Sequence, residues 1–165
     1  MDGRLRSMTS VYFTRATGVL CLFRIGSKIA DRQYVGAAGG HFEPKEISDA
    51  RACVLREMNE ELGLTEQDID GLSLRYITLR LKNDEIRQNY YFFARLKDEN
   101  RPLSSNEGVL RWTFWEELPQ LAMPVSAKNI VLHYAKEGRF SDRLYVSVSG
   151  SVHPGDAQFV ELREF

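Results

Sequence analysis

The chain has 165 residues, enough for one domain (1–165) with a sizeable core. Its 22 basic and 23 acidic residues nearly cancel, which argues against a general electrostatic grip on a nucleic-acid polymer and leaves room for local charged sites. No apolar run approaches the roughly 20 residues of a membrane span, and the N-terminal MDGRLRSM lacks the apolar core of a secretory signal, so a cytoplasmic protein with no membrane partner is expected.

Read in chain order, TSVYFT (Thr9 to Thr14) and VLCLFR (Val19 to Arg24) are expected strands joined by a turn at RATG. IGSKIADRQ is polar and irregular, and YVGAA is a short extended piece leading into Gly39 and Gly40. A helix follows, then LSLRYITLRL (Leu72 to Leu81) and IRQNYYFFARL (Ile86 to Leu96), long β-rich segments set as a hairpin by KNDE. VLRWTFW (Val109 to Trp115) is another strand. SAKNIVLHYAKEG (Ser126 to Gly138) reads as a helix, with Ser126 as cap, Ile130, Val131 and Tyr134 on one side, and Gly138 as stop. LYVSVS and QFVEL are two final strands around an HPGD turn. No repeat or linker interrupts the chain, and one α/β domain with a mixed or antiparallel sheet is expected. Cys21 and Cys53 lie among apolar neighbours and are expected as buried free thiols, a disulfide being the alternative.

The helix after the glycines carries the chemistry. Ser48 or Asp49 caps it, and Gly63 suits the position just past its end. At about 100° per residue, Leu55, Met58 and Leu62 share a core-facing side. Glu57, Glu60 and Glu61 stand at i, i+3 and i+4 and share a neighbouring side. A solvated acidic face is the ordinary explanation for such a pattern. Two features oppose it: the acids occupy the last turns, where the helix dipole disfavours anions, and they follow a glycine pair that lets backbone approach closely. Hard divalent cations take oxygen ligands of this kind.

The segment resembles the box of the Nudix hydrolases, G-x5-E-x7-R-E-U-x-E-E-x-G-U, where U is a bulky aliphatic. Gly40 and Glu46 match the first half, and REMNEELGL, Arg56 to Leu64, matches the second. NEGVLRW followed by EELPQL is similar to a late strand and turn of that family. One departure stands out: nine residues, not seven, separate Glu46 from Arg56. Either a bulge before the helix absorbs the extra two and Glu46 still reaches Arg56, or the pair is lost and Ser48, at the family's spacing, merely caps the helix. An insertion inside the helix would rotate the acids apart.

The resemblance implies an α/β/α sandwich around a mixed sheet. It implies Mg²⁺ (or Mn²⁺) held by Glu57, Glu60, Glu61 and the Gly39 carbonyl, with Arg56 orienting the carboxylates. The implied reaction is hydrolysis of a nucleoside diphosphate linked to another group, in this compact chain a nucleoside triphosphate such as 8-oxo-dGTP. Glu60 and Glu61 lead as general base, and Glu107 in SSNEG is a further candidate beside an ordinary turn residue. His41 is either a phosphate contact or a solvated loop residue; His133 and His153 read as structural. Tyr34, Trp112 and Trp115 either stack on a base or pack in the core. The alternative function is a non-catalytic nucleotide or nucleotide-sugar sensor, although such proteins usually lose box carboxylates. Isopentenyl diphosphate isomerisation on the same fold needs an extra catalytic cysteine and glutamate, and Cys53 is the only cysteine nearby. The substrate-binding residues lie outside the box and stay unassigned. Homodimers are common among similar proteins.

Overall fold

The first strand, β1 (Arg4–Arg15), extends well before its apolar stretch. Its polar half is held by a parallel ladder to β5 (Glu85–Leu96), running from Arg4↔Glu85 to Phe13↔Ala94. The computed structural model describes residues 4–26, 30–82, 84–148 and 157–163. β2 (Gly18–Arg24) turns back antiparallel on β1 and also pairs with β3 (Tyr34–Gly36) and β6 (Gly108–Phe114). β4 (Ile69–Lys82) forms the expected hairpin with β5, and β7 (Leu144–Val148) lies parallel to β4, followed by β8 (Val160–Leu162). The order β3-β2-β1-β5-β4-β7-β8, with β6 branching from β2, makes one mixed sheet.

Side-chain alternation along the central strands fills two cores. Val11, Phe13 and Phe92 face α1 (Ala50–Leu62), where they meet Val54 and Met58. Their neighbours Tyr12 and Phe93 face α2 (Val125–Lys136), where they meet Ile130, Val131 and Tyr134. The sheet is thus covered on both sides, an α/β/α sandwich. Each fully buried aliphatic side chain in these cores contributes about 1.5–3 kcal/mol by leaving water.

α2 departs from the expected ends. Pro124, not Ser126, stands at its N-cap, and Ser126 lies in the first turn. A proline with φ −55° begins a helix readily and has no N–H to satisfy. The helix ends at Lys136, and Gly138 opens a 3₁₀ turn, Gly138–Phe140. Gly138 serves packing: a Cβ there would lie 2.3 Å from the Tyr76 hydroxyl. Trp115, expected at a strand end, starts the 3₁₀ turn Trp115–Gln120. The HPGD turn, with His153, lies outside the described residues. Cys21 and Cys53 are free and buried. Among the described residues no helix is long and apolar enough to cross a membrane.

Candidate active site

α1 starts where its capping residue dictates. The Asp49 carboxylate accepts the Ala52 amide at 2.9 Å, so Asp49 and not Ser48 is the cap. Gly63, at φ 63°, ends the helix in the left-handed conformation that glycine adopts without strain. Cys53, Val54, Met58 and Leu62 are buried, and Leu55 packs half-buried beside them. The helix is unbroken from Ala50, so no residue is inserted within it.

The two extra residues sit ahead of the helix. A 3₁₀ turn, Pro44–Glu46, is followed by a turn at Ile47 and Ser48 that leads to Asp49. Glu46 keeps its partner: Arg56 donates through Nε to Oε1 at 2.8 Å and through Nη2 to Oε2 at 3.0 Å. The Glu43 amide donates to Oε2 at 2.9 Å. With only 4 % of its side chain exposed, Glu46 is held down to a pKa of about 2, chiefly by the guanidinium.

Arg56 then spreads its remaining donors. Nη1 reaches Glu57 at 2.8 Å and Glu60 at 3.0 Å, and Nη2 also reaches the His41 carbonyl at 3.0 Å. Glu57 packs against Gly40, where a Cβ would lie 2.4 Å from its Oε1. Gly39 sits at φ 153°, and a Cβ there would come within 2.3 Å of the Thr9 carbonyl. The glycine pair is pinned to β1 by Thr9 N–H to the Gly40 carbonyl and Val11 N–H to the Ala38 carbonyl, both 2.8 Å. Gly39 is therefore required by the close approach of β1 backbone, whereas Gly40 makes room for the Glu57 carboxylate.

Glu61 turns the other way. Its Oε2 accepts the Gly39 N–H at 3.1 Å. Among the described residues it enters no ion pair, and its pKa is pushed up to about 7, first by burial, then by the charges of Glu107 and Glu57. Glu107, just before β6, is held by Arg24 of β2, through Nε at 3.1 Å and through Nη2. Arg24 carried no signal in the sequence; only the β2–β6 pairing, with Arg24 opposite Gly108, brings it there.

The acids expected to converge are thus gathered but divided. Arg56 draws Glu57 and Glu60 toward Glu46, while Glu61 faces Gly39 and the side of Glu107. Among the described residues no three such side chains already form a closed ligand set. The donor chemistry nevertheless suits a hard cation. Five carboxylates (Glu46, Glu57, Glu60, Glu61, Glu107) meet two guanidiniums (Arg24, Arg56), leaving a formal charge of −3. Glu60 is 56 % exposed and, among the described residues, tethered only by Arg56.

The other side chains singled out have partners within the chain. The His41 ring bonds Arg6, and His133 Nδ1 lies 2.8 Å from the Tyr76 hydroxyl. Tyr34 packs on Phe23 at 4.9 Å and accepts Arg111 at 3.2 Å. Arg15 covers Trp112 at 4.5 Å, and Trp115 Nε1 donates to the Ala16 carbonyl at 3.0 Å. Burial pushes the Cys53 thiol up to about 11, which leaves it a poor nucleophile. Beside Gly39, Glu61 and Glu107 opens a cavity of about 180 Å³ walled by Met8, Leu22, Val35 and Ala127. Tyr12 and Asn89 also line it; the Tyr12 hydroxyl and Asn89 Oδ1 are buried without a hydrogen-bond partner among the described residues.

A family model of the NUDIX domain matches residues 4–134. The fold is similar to that of the mMutator MutT protein from Bacillus halodurans, at 22 % identity over 93 % of this chain and 97 % of that one, TM-score 0.65. It is also similar to a NUDIX hydrolase from Nitrosomonas europaea (13 % identity, 90 % and 81 % covered, TM-score 0.65) and to the MutT protein from Methanosarcina mazei Go1 (17 %, 84 % and 99 %, TM-score 0.63). No curated protein matches the sequence.

Proposed function

The chain belongs to the NUDIX family, and we propose that it is a divalent-cation-dependent pyrophosphohydrolase of a nucleoside triphosphate, with 8-oxo-dGTP among the substrates to try first. The family hydrolyses nucleoside diphosphates linked to another group and generally uses divalent metals. The observation that carries the reading is Glu61, half-buried against the Gly39 amide beside two further acids and, among the described residues, in no ion pair. A partly desolvated carboxylate among other acids favours a bound cation, and Arg24, the nearby positive charge, is paired with Glu107.

Glu57, Glu60, Glu61 and the Gly39 carbonyl would hold Mg²⁺ or Mn²⁺. When bound, such an ion neutralises phosphate oxygens and acidifies water. Arg56 orients: its bonds to Glu57 and Glu60 limit where those carboxylates can go, and buried Glu46 anchors it from behind. Glu60 or Glu61 takes the proton of the attacking water as general base, the Glu61 carboxyl being pushed up to about 7. Glu107, steadied by Arg24, is the third candidate for that proton. The 180 Å³ cavity has room for a planar ring and not for a whole nucleotide, since pockets for drug-sized ligands span roughly 300–1,000 Å³. Its two unpartnered polar atoms, on Tyr12 and Asn89, can read the edge of a base.

The test is a screen of nucleoside triphosphates and nucleoside diphosphate derivatives with Mg²⁺, reading phosphate or pyrophosphate release. Hydrolysis that vanishes with EDTA and in Glu61→Gln supports the reading. A folded wild-type protein that cleaves none of them contradicts it and favours a nucleotide sensor.

A further inference from the structure

A second, larger cavity lies at the opposite end of α2 from the acids. It measures about 680 Å³ and shares no lining residue with the smaller one. The first turn of α2, at Ser126 and Ala127, lines the small cavity, whereas Tyr134 and the 3₁₀ turn after the helix line the large one. At about 1.5 Å per residue the two are roughly a helix length apart. The space exists because β4 breaks register twice near its start, between Asp70 and Ser73 and between Leu74 and Tyr76. Such bulges bend a strand away from its partner.

Three arginines face this cavity: Arg75 from β4, Arg95 from β5 and Arg139 from the turn after α2; Arg15 of β1 also lines it but turns its guanidinium to Trp112. Asp70 and Asp142 are the acids in its lining, so three positive charges face two negative ones. Among the described residues none of the four arginines enters an ion pair, in contrast to Arg24, Arg51, Arg56, Arg101 and Arg111 elsewhere. Arg75 is structural: 5 % exposed, it donates to the carbonyls of Gly138, Ser141 and Arg143 and so shapes the wall. Arg95 and Arg139 are not consumed in this way, whereas the Arg15 guanidinium is laid over Trp112 at 4.5 Å, a residue outside the cavity lining. Arg15 Nε is buried without a hydrogen-bond partner among the described residues. Arg139 lies over Trp115 at 5.1 Å and over Phe140 at 4.6 Å. An aromatic face beneath a guanidinium fixes its plane and leaves its edge N–H donors for an anion. Phe140 itself is 72 % exposed at the rim, so one face of its ring is open to a ligand.

We propose that this cavity binds a phosphorylated small molecule bearing a planar ring, of nucleotide size, at a site separate from the acidic one. Uncompensated guanidiniums select the phosphate, because fork-shaped donors match its oxygens. The ring lies against Phe140 and Trp115 at the rim. The volume falls within the range of whole-ligand pockets. The proposal is independent of the hydrolytic reading, since it uses none of the acids.

The test is a titration of the ¹⁵N-labelled protein in EDTA with guanosine monophosphate, adenosine monophosphate and inorganic phosphate, following backbone amides. The expected result is shifts at Gly71, Ser73, Ser141 and Asp142, with either nucleotide binding more tightly than phosphate. Arg139→Ala should weaken nucleotide binding about tenfold or more, the loss of a charge-assisted contact. Phe140→Ala, at an exposed position, should bring nucleotide affinity down toward that of phosphate, with an unchanged melt. Shifts confined to Gly36, Gly39 and Ser126, no shifts with any probe, or full binding by both folded variants would overturn the proposal.

Discussion

Glu46 and Arg56 form a two-pronged ion pair across nine intervening residues, Nε to Oε1 at 2.8 Å and Nη2 to Oε2 at 3.0 Å. The pair couples a loop to a helix, and the same guanidinium carries Glu57 and Glu60. Removing one partner of a buried pair leaves the other uncompensated, a loss of about 3–5 kcal/mol when nothing else compensates. Here Arg56 retains two other carboxylates, so Glu46→Gln should lose on the order of 2–3 kcal/mol, read from urea unfolding at pH 7. Ser48→Ala, in an exposed turn with no capping role, should stay within about 0.5 kcal/mol of wild type.

The two glycines should fail differently when given a methyl group. Gly39→Ala forces a Cβ into the Thr9 carbonyl at an unfavourable φ, so backbone must move. It should lose about 2–4 kcal/mol of stability. Gly40→Ala meets only the Glu57 carboxylate, a side-chain end that can swing away. Its melt should stay near wild type while its apparent Mg²⁺ affinity falls. Paired thermal melts and cation titrations of the two variants check this, and equal loss of stability in both would contradict it.

pH separates buried Glu46 from half-buried Glu61. Glu46 is depressed to about 2 from an ordinary 4.5, so its contribution is present above about 4.5 and is lost as pH falls toward 2. Glu61 is raised from 4.5 to about 7, so the fold favours its protonated form. That contribution is present below about 4.5 and is lost as pH rises through 7. In EDTA, wild type should therefore lose stability between pH 5 and 8 by more than Glu61→Gln does. Identical pH profiles for the two proteins would rule out a strained Glu61.

The helix and its acids were legible because local signals agree there: a cap at Asp49, a left-handed glycine at Gly63, and carboxylates spaced by the helical period. The central strands were legible from their apolar runs. Less was visible where tertiary pairing decides. The polar start of β1 is a strand only because β5 pairs with it, and nothing in RLRSM announces that. Arg24 reaches Glu107 across 83 residues of sequence. The side on which Glu61 settles depends on the Gly39 amide, which helical spacing does not encode. The ends of α2 differ from the expected ones because Pro124 takes the N-cap in place of Ser126 and Glu137 the C-cap, which leaves Gly138 to packing.

The most direct measurement pairs melts with rates for wild type, Glu60→Gln and Glu61→Gln, each with and without Mg²⁺. Gln keeps the shape of Glu and removes one negative charge. Wild type should gain stability from the ion by mass action, about 2.7 kcal/mol at a hundredfold excess over its dissociation constant, and the variants should gain less. Turnover of the screened nucleotides should fall roughly 10²–10⁴-fold in whichever variant removes the general base, with both variants folded. Wild-type rates in both variants, or a folded wild type that neither gains stability from Mg²⁺ nor hydrolyses any nucleotide, would contradict the assignment of this acidic cluster as a hydrolytic centre.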